Sequence, residues 1–295
     1  MEIKKVGVVG CGLMGSGIAL VSAQAGYQVT CSEINQELLD KGMSGIKRGL
    51  SIDVRRQRMT QAEMDAVLSR IQGAVGFSAF SSSDLVIEAA PENMGIKQKV
   101  FAELDKICPR ETILASNTSC LSVTDIAKST GRPTRVIGLH FFNPVSLMKL
   151  VEVVKTPLAN DESIETVKAF GKSLGKTIIL APDEPGFVVN KLLMPFMLGA
   201  FRMYEKGVII KEDIDEGARL GLGHPMGPLR LADLVGLDTV LYIASSIYER
   251  IQDPLYAPPE ILKKLVAEGS LGRKSGKGFY DYRRAGREEK DGEPS

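Results

Sequence analysis

Three glycines near the amino terminus constrain the fold of this 295-residue chain more than any other feature. Gly10, Gly12 and Gly15 form the pattern G-x-G-x-x-G, which directly follows the apolar segment KKVGVV and directly precedes apolar residues at helical spacing. In such a strand-turn-helix unit, the first glycine permits a tight turn, the second leaves room beside the backbone, and the third allows close packing of helix on strand. The pattern predicts a β-α-β unit of a parallel sheet at the start of the chain.

Short apolar runs rich in Val and Ile continue this pattern over the first 180 residues. Strands are expected at 6–9, 29–31, 85–87, 113–115, 136–139, 150–154 and 177–180, and helices at 13–25, 36–56, 62–71, 94–107 and 162–174. Thr60 and Glu63 resemble a capping box, and the two helices before Val75 are expected to form an inserted hairpin. The alternation predicts an α/β fold of the Rossmann type with a mostly parallel sheet.

After the segment APDEPG, the sequence pattern predicts helices and no further strands. Pro182, Pro185 and Gly186 mark a boundary between two domains. We expect a sheet domain at 1–184, an all-helical C-terminal domain at 185–284, and a charged, flexible tail at 285–295.

The composition gives no sign of a nucleic-acid or membrane partner. Lys and Arg number 37 against 36 Asp and Glu, so the formal charge is +1 and no global field attracts polyanions. No apolar run reaches the roughly 20 residues of a membrane span, and the start does not resemble a signal peptide. The four cysteines lack metal-ligand spacing. We therefore expect a cytoplasmic protein without a metal site.

The glycine turn and an acidic residue beyond it predict the cofactor. A pyrophosphate fits the positive end of the helix after the turn, so the expected contacts there are Gly10, Gly12, Leu13, Met14 and Gly15. Glu33 ends the second strand, where its carboxylate accepts hydrogen bonds from ribose hydroxyls and repels a 2′-phosphate. This combination favours NAD over NADP, and the alternative is an ordinary glycine-rich turn with a surface glutamate.

Polar residues follow several of the predicted strands, at Glu33, 88–92, 116–119 and 140–143. Ligands of open parallel sheets bind outside the carboxyl ends of the strands. His140 ends the strand RVIGL and suits the role of a base that takes a hydroxyl proton. The other histidine, His224, lies in the turn GLGHPMGPL and is interpreted as structural.

Two further residues belong to this hypothesis. Glu152 interrupts the apolar strand 150–154, and a carboxylate there is costly to bury unless it is paired, so it is expected to orient His140. The alternative is an edge strand whose glutamate faces water. Ser119 either hydrogen-bonds the reacting oxygen or caps a helix that begins near Leu121, and the two roles are compatible.

Six motifs resemble the 3-hydroxyacyl-CoA dehydrogenase family over nearly the whole chain: SNTS (116–119), GLHFFNPV (138–145), KLVEVV (149–154), PGFVVN (185–190), GHPMGP (223–228) and GKGFYDY (276–282). The length resembles the single-function members, such as the bacterial 3-hydroxybutyryl-CoA dehydrogenases. The resemblance implies that His140 is the base, that Glu152 orients it, and that Ser119 and Asn190 contact the reacting part of an acyl-CoA thioester.

The resemblance also implies contacts that composition and spacing do not reveal. It places NAD near Glu33, Glu92, Lys97, Ser119, Asn143 and Lys274, and it places a homodimer interface in the helical domain. In the family, a serine and a lysine of the hairpin touch CoA. The matching positions here are Gly49 and Arg56, so the serine is absent and the cation is kept. The alternative for Arg56 is a solvated basic helix end.

The expected activity is NAD-dependent interconversion of (3S)-3-hydroxyacyl-CoA, 3-hydroxybutyryl-CoA in particular, and 3-oxoacyl-CoA by hydride transfer with a His-Glu pair. One alternative is a 3-hydroxy acid dehydrogenase, which shares the glycine turn and helical domain but uses a lysine for the chemistry. Another is a catalytically silent NAD-binding homologue. The segment HFFNP argues against the first, and the intact His140, Glu152, Ser119 and Asn190 argue against the second.

Overall fold

A computed structural model describes residues 1–283 of the chain, which divides into two compact units, Met1–Phe187 and Val188–Ser295. The predicted flexible tail, 285–295, lies outside the described residues.

The first unit is built on an eight-stranded sheet within the described residues. Its strands are β1 (Lys5–Val9), β2 (Gln28–Glu33), β3 (Ile71–Val75), β4 (Leu85–Glu88), β5 (Ile113–Ser116), β6 (Val136–Phe141), β7 (Leu150–Lys155) and β8 (Thr177–Pro182). The order is β3-β2-β1-β4-β5-β6-β7-β8, and each neighbouring pair is parallel except β6 and β7. The predicted Rossmann-type, mostly parallel sheet is confirmed.

The helices of this unit are α1 (Leu13–Gln24), α2 (Gln36–Arg55), α3 (Gln61–Leu68), α4 (Met94–Ile107), α5 (Val123–Ala127) and α6 (Asp161–Ser173). Short polar side chains begin most of them, because an oxygen at the N-cap accepts a backbone N–H that the helix leaves unpaired. Asn35, Asn93 and Asn160 cap α2, α4 and α6 in this way. The predicted capping box of Thr60 and Glu63 is confirmed at α3.

Strand β3 was not predicted, and the helix expected at 62–71 ends earlier, at Leu68. β3 lies at the edge of the sheet, and several of its residues are exposed. An edge strand of this kind lacks a continuous apolar run, so the sequence gives only a weak signal for it.

The second unit is helical, as predicted. It contains α7 (Val189–Glu205), α8 (Lys211–Glu216), α9 (Pro228–Val235), α10 (Leu237–Ile251) and α11 (Glu260–Ala267). Its core is formed mainly by buried side chains of α7 and α10, together with Phe279 and Tyr280. Isolated bridges join Gly272 to Lys277 and Lys277 to Asp281, so residues 272–281 form bridged turns rather than an α-helix.

Helix α7 contains Pro195, which has no N–H to donate to the carbonyl four residues earlier. The hydroxyl of Tyr256 donates to that carbonyl, Lys191 O, at 3.2 Å. A partner from outside the helix therefore satisfies the acceptor that the proline cannot reach, and α7 continues through the proline.

In the described part of the chain, no single helix is long and apolar enough to cross a membrane. One pair of helices, α9 and α10, passes the test of length and composition only when the two are counted together, and they meet at a bend of 98°.

The glycine turn fixes α1 against the sheet. An ideal Cβ at Gly15 would lie 1.7 Å from the carbonyl oxygen of Gly10, whereas a Cβ at Gly12 would meet no atom within 4 Å. Gly10 has a φ of +89°, a backbone conformation that residues with a Cβ rarely adopt. The close approach of helix and strand therefore requires glycine at position 15, and the fold itself makes no such demand at position 12.

We expect Gly15→Ala to lower the free energy of unfolding by about 3 kcal/mol or more, because a backbone oxygen occupies the space that the new methyl group needs. Gly12→Ala is the matched control and should cost less than about 1 kcal/mol, the usual effect at an N-cap. Urea unfolding of both variants measures the difference. Equal losses would contradict the proposed close packing.

Candidate active site

The strand register brings the carboxyl ends of the parallel strands to one edge of the sheet. Val9 of β1 pairs with Glu88 of β4, Glu88 pairs with Ser116 of β5, and Ser116 pairs with Gly138 of β6. Asn117, just beyond β5, accepts the backbone N–H of Phe141 at 2.9 Å. The predicted gathering of polar residues at this edge is confirmed.

The turn before α1 leaves the first N–H groups of the helix available. Gly12 is the N-cap, no side chain caps this end, and the first turn holds no acidic residue. Leu13 is exposed, Met14 is half-buried, and the space beside Gly12 is open. An anion fits this helix end, where the partial positive charge of the helix dipole would stabilise it.

Glu33 ends β2 beside this turn. Its carboxylate accepts the backbone N–H of Cys11 at 2.6 Å and that of Ile34 at 3.2 Å. These two bonds fix the side chain, and a carboxylate with about four acceptor sites can still accept further donors. The geometry suits recognition of a diol such as a ribose, and it places a negative charge where a 2′-phosphate would be repelled.

A buried ion network lies under the edge. Glu88 is 0% exposed and accepts from Lys97 Nζ at 2.6 Å, Ala90 N at 2.7 Å and Ser116 Oγ at 2.7 Å. Lys97, which is 1% exposed, also lies 3.3 Å from a carboxylate oxygen of Glu92 and 3.3 Å from the Ala90 carbonyl. Three acceptors thus surround an ammonium group that has three N–H donors.

Glu92 connects this network to Ser119. One of its oxygens accepts from Thr118 Oγ1 at 2.6 Å, Ser119 N at 2.9 Å and Ser119 Oγ at 3.2 Å. Burial alone would raise the pKa of Glu92, but the charge of Lys97 and these hydrogen bonds outweigh it and hold the pKa below its ordinary value.

The alternative role of Ser119 as a helix cap is wrong. Helix α5 begins at Val123, and its N-cap is Ser122, whose side chain accepts the N–H of Asp125. The Ser119 hydroxyl is instead oriented by a carboxylate at the ligand edge.

His140 and Glu152 form a direct pair across the antiparallel strands. They are Cα partners in the register of β6 and β7, and His140 Nδ1 lies 2.7 Å from Glu152 Oε2. Glu152 is 0% exposed, and β7 lies between β6 and β8 rather than at the edge of the sheet. The alternative of a water-facing glutamate on an edge strand is therefore wrong, and the predicted neighbourhood of the two residues is confirmed.

Aromatic rings flank the imidazole. The centroid of the Phe142 ring lies 4.5 Å from that of His140, and the Phe187 ring lies 5.7 Å away, both tilted. These contacts restrict rotation of a histidine already oriented by Glu152, so the direction of its other ring nitrogen, Nε2, is defined.

Comparison with known proteins identifies the family. The family sequence model for the NAD-binding domain of 3-hydroxyacyl-CoA dehydrogenase matches residues 5–184. The one for the family's C-terminal domain matches residues 186–282. The chain belongs to the 3-hydroxyacyl-CoA dehydrogenase family. Its cofactor is accordingly NAD, which the open glycine turn and the fixed Glu33 carboxylate fit.

Relatives align over nearly the full length. A probable 3-hydroxybutyryl-CoA dehydrogenase of Bacillus subtilis is 45% identical, covering 96% of this chain and 98% of that protein. A 3-hydroxybutyryl-CoA dehydrogenase of Mycobacterium tuberculosis is 44% identical, with coverage of 95% and 99%. The crystal structure of (S)-3-hydroxybutyryl-CoA dehydrogenase from Ralstonia eutropha superposes with a TM-score of 0.92 at 41% identity, covering 95% of this chain and 99% of that one.

Three further residues are implied by the family resemblance, one in the first unit and two in the second. Asn143 is exposed on the loop after β6. Asn190 and Lys274 belong to the second unit, where Asn190 is buried near the start of α7 and Lys274 pairs with Asp238 at 2.6 Å. His224 packs its ring on Phe196 in the same unit, at 4.9 Å between centroids.

The two hairpin positions differ in what they offer. Gly49 is exposed on α2, and a Cβ there would meet no atom within 4 Å. Arg56 follows two helical turns later on the same face and is exposed, whereas Arg58 is paired with Asp53 at 3.5 Å. Glu88, noted in the sequence only as part of the polar segment 88–92, and Lys176, which no sequence pattern singles out, are both buried.

We expect Glu92→Gln to change how stability depends on pH. Because the folded-state pKa of Glu92 lies below the 4.5 of a free side chain, its ionised form stabilises the fold above that pH. This contribution is lost as the pH falls through the folded pKa, so the wild type should lose stability on acidification and the variant should lose less. Urea unfolding between about pH 6 and about pH 3 measures both slopes. Glu103→Gln, an exposed change on α4, is the control, and equal slopes for Glu92→Gln and the wild type would count against the network.

Proposed function

We propose that the chain interconverts (3S)-3-hydroxyacyl-CoA thioesters, 3-hydroxybutyryl-CoA among them, and the corresponding 3-oxoacyl-CoA with NAD as hydride carrier. The observation that carries this proposal is the contact of 2.7 Å between His140 Nδ1 and Glu152 Oε2 at the edge that holds the glycine turn. Relatives with the name 3-hydroxybutyryl-CoA dehydrogenase that align over nearly the whole chain support the choice of substrate.

The hydrogen bond assigns different roles to the two ring nitrogens. The Glu152 carboxylate accepts the Nδ1–H of His140, so Nε2 carries the lone pair that takes the proton of the substrate 3-hydroxyl. Proton uptake gives an imidazolium that the buried carboxylate stabilises at short range. In the reductive direction, the same Nε2–H donates its proton to the 3-oxo oxygen.

Other residues of the chain bind and orient. The turn at Gly12 and the Glu33 carboxylate would hold the pyrophosphate and the adenosine ribose, while Glu92 and Asn143 would lie beside the nicotinamide end. Ser119 and Asn190 would contact the reacting part of the thioester. When NAD is bound, its nicotinamide ring supplies the hydride acceptor or donor, and the protein contributes positioning and electrostatics.

The decisive test is oxidation of NADH, followed by absorbance, with acetoacetyl-CoA as the substrate. We expect turnover with NADH, little with NADPH, and none with free acetoacetate. Turnover of the free acid instead would favour a 3-hydroxy acid dehydrogenase, and absence of turnover with NADH bound would favour a silent homologue. A series of acyl chain lengths then defines the preferred substrate.

Assembly as a homodimer through the helical unit, and a cytoplasmic location, stay predictions. Several large apolar side chains of this unit are exposed in the single chain, among them Leu192, Val208, Leu220 and Leu222. A partner subunit that covers such residues would remove apolar area from water. Light scattering on the purified protein measures the mass in solution.

We expect His140→Gln to lower kcat by a factor of about 100 to 10,000, the usual contribution of a general base, with NADH affinity near normal. Glu152→Gln removes the charge that stabilises the imidazolium and should lower kcat in both directions. The losses should not add in the double variant, because both changes disable one proton-transfer unit.

Thermal unfolding of the three variants shows whether a loss of kcat comes from the proton-transfer step or from an unfolded protein. Near-normal turnover in His140→Gln, or fully additive losses in the double variant, would rule out the pair and direct attention to His224.

The hairpin offers a test for the CoA handle. Arg56→Ala should raise the KM for acetoacetyl-CoA at low salt and leave NADH affinity unchanged, because a cation on an exposed helix face pairs with phosphate. Gly49→Ser restores the hydroxyl found in the family at a position with open space, so it should lower that KM. Arg58→Ala is the control, since Asp53 already pairs with that side chain. An unchanged KM in Arg56→Ala would remove Arg56 from the CoA site.

A further inference from the structure

A buried lysine outside the ion network holds the loop between β6 and β7. Lys176 follows α6 and directly precedes β8, and it is 9% exposed. Its ammonium donates to the carbonyl oxygens of Val145 at 2.6 Å and Met148 at 2.8 Å. Both acceptors belong to the loop at 142–149, which begins directly after β6 and carries Asn143.

The backbone N–H groups in the turn of this loop donate to a different carbonyl. The N–H groups of Leu147 and Met148 both donate to Pro144 O, at 3.0 Å and 2.9 Å, and this shapes the turn. Burial lowers the pKa of Lys176, so the fold bears the cost of holding a desolvated cation at this place. An ammonium can direct separate N–H groups at two carbonyls three residues apart, and these bonds fix both ends of the turn.

The other side of the loop rests on the helix that follows the glycine turn. An ideal Cβ at Gly17 of α1 would lie 2.8 Å from Val145 Cβ and 2.9 Å from one of its methyl carbons. Val145 itself is buried. One residue of the loop is therefore held twice, through its carbonyl by Lys176 and through its side chain by the face of α1 at Gly17.

We propose that Lys176 is a positioning residue for hydride transfer. By clamping Val145 against α1, it sets the place of Asn143, two residues earlier, and of the end of β6 that carries His140, relative to the helix that receives the cofactor. This inference rests on the proposed function. Lys176 acts through the loop rather than by contact with cofactor or substrate.

The test compares Lys176→Met, which keeps the apolar stem and removes the donor, with Lys176→Arg, which keeps a cation able to reach two carbonyls. We expect Lys176→Met to weaken NADH binding, measured by fluorescence titration, and to lower kcat with acetoacetyl-CoA by about tenfold or more, the scale of a small misplacement of reacting groups. The KM for acetoacetyl-CoA should change less. Lys176→Arg should recover most of both losses.

A deuterium isotope effect provides a measurement that simple destabilisation does not move. With NADH deuterated at the transferred position, Lys176→Met should show a larger isotope effect on kcat than the wild type, because hydride transfer becomes the slow step. Arg132→Met is the matched control. Arg132 is a buried cation bonded to the carbonyls of Asp105, Cys108 and Pro109, before β5 and thus at the opposite edge of the sheet. The Arg132→Met substitution should lower the melting temperature, but the NADH affinity and the isotope effect should stay as in the wild type.

Gly17→Ala provides a second variant that leaves the lysine in place. Alanine normally stabilises a helix relative to glycine, but here its methyl group would collide with Val145. We therefore expect Gly17→Ala to weaken NADH binding, as Lys176→Met does. Wild-type NADH affinity, kcat and isotope effect in a folded Lys176→Met protein would overturn the proposal. Absence of turnover in the wild type would overturn the proposed function instead. NADH titration of the variants would still test whether Lys176 positions the loop at 142–149.

Discussion

The contact between His140 and Glu152 depends on one change of direction in the sheet, the antiparallel alignment of β7 on β6. A parallel neighbour of β6 would arrive by a crossover and begin at the opposite edge. β7 instead starts after a short loop, and its third residue, Glu152, is the Cα partner of His140. Directly opposed residues of an antiparallel pair project on the same face, so the register brings imidazole and carboxylate together. Glu152 is 0% exposed, and the low access of water strengthens its interaction with a protonated imidazole.

In the first unit, most of the buried charged side chains lie at the edge where ligands are expected to bind, with Arg132 as the exception. The idealised cost of taking an ion out of water falls to several kcal/mol in a real protein, and close partners must offset it. Glu88 and Lys97 supply each other with such a partner, and Glu92 extends the network to the chain segment that carries Ser119. Segments far apart in sequence are thereby fixed by charge-assisted hydrogen bonds. An edge ordered before ligands arrive loses less conformational entropy when they bind.

The sequence predicts the elements and part of the site because their signals are local. The glycine turn, the apolar runs, and a glutamate set within one of them are each visible in a single segment, and the adjacency of His140 and Glu152 follows from the short loop between their strands. The partner of Ser119 is 27 residues away, and that of Lys176 is 31 residues away. A lysine in the sequence GKT reads as an ordinary turn before a strand. Contacts between distant loops leave no periodic pattern in the sequence. The ion network and the contacts of Lys176 with the loop at 142–149 are therefore seen only in the structure.

The motif GKGFYDY contributes to the family resemblance together with HFFNP, yet most of its residues serve the fold. The N–H groups of Phe279 and Tyr280 each donate at 2.9 Å to Asp233, a carboxylate whose pKa is raised by burial and only partly restored by these bonds. A Cβ at Gly278 would lie 1.9 Å from Asp233 Oδ1, so only glycine permits this approach. Lys274, just before the motif, has a different environment, since its ion pair with Asp238 is about half exposed. An exposed ion pair contributes only about 0 to 1 kcal/mol, so a lysine of this kind can exchange its partner for another anion at little cost. A motif match thus joins scaffold residues to residues able to meet a ligand, and the burial and partners of each side chain distinguish the two.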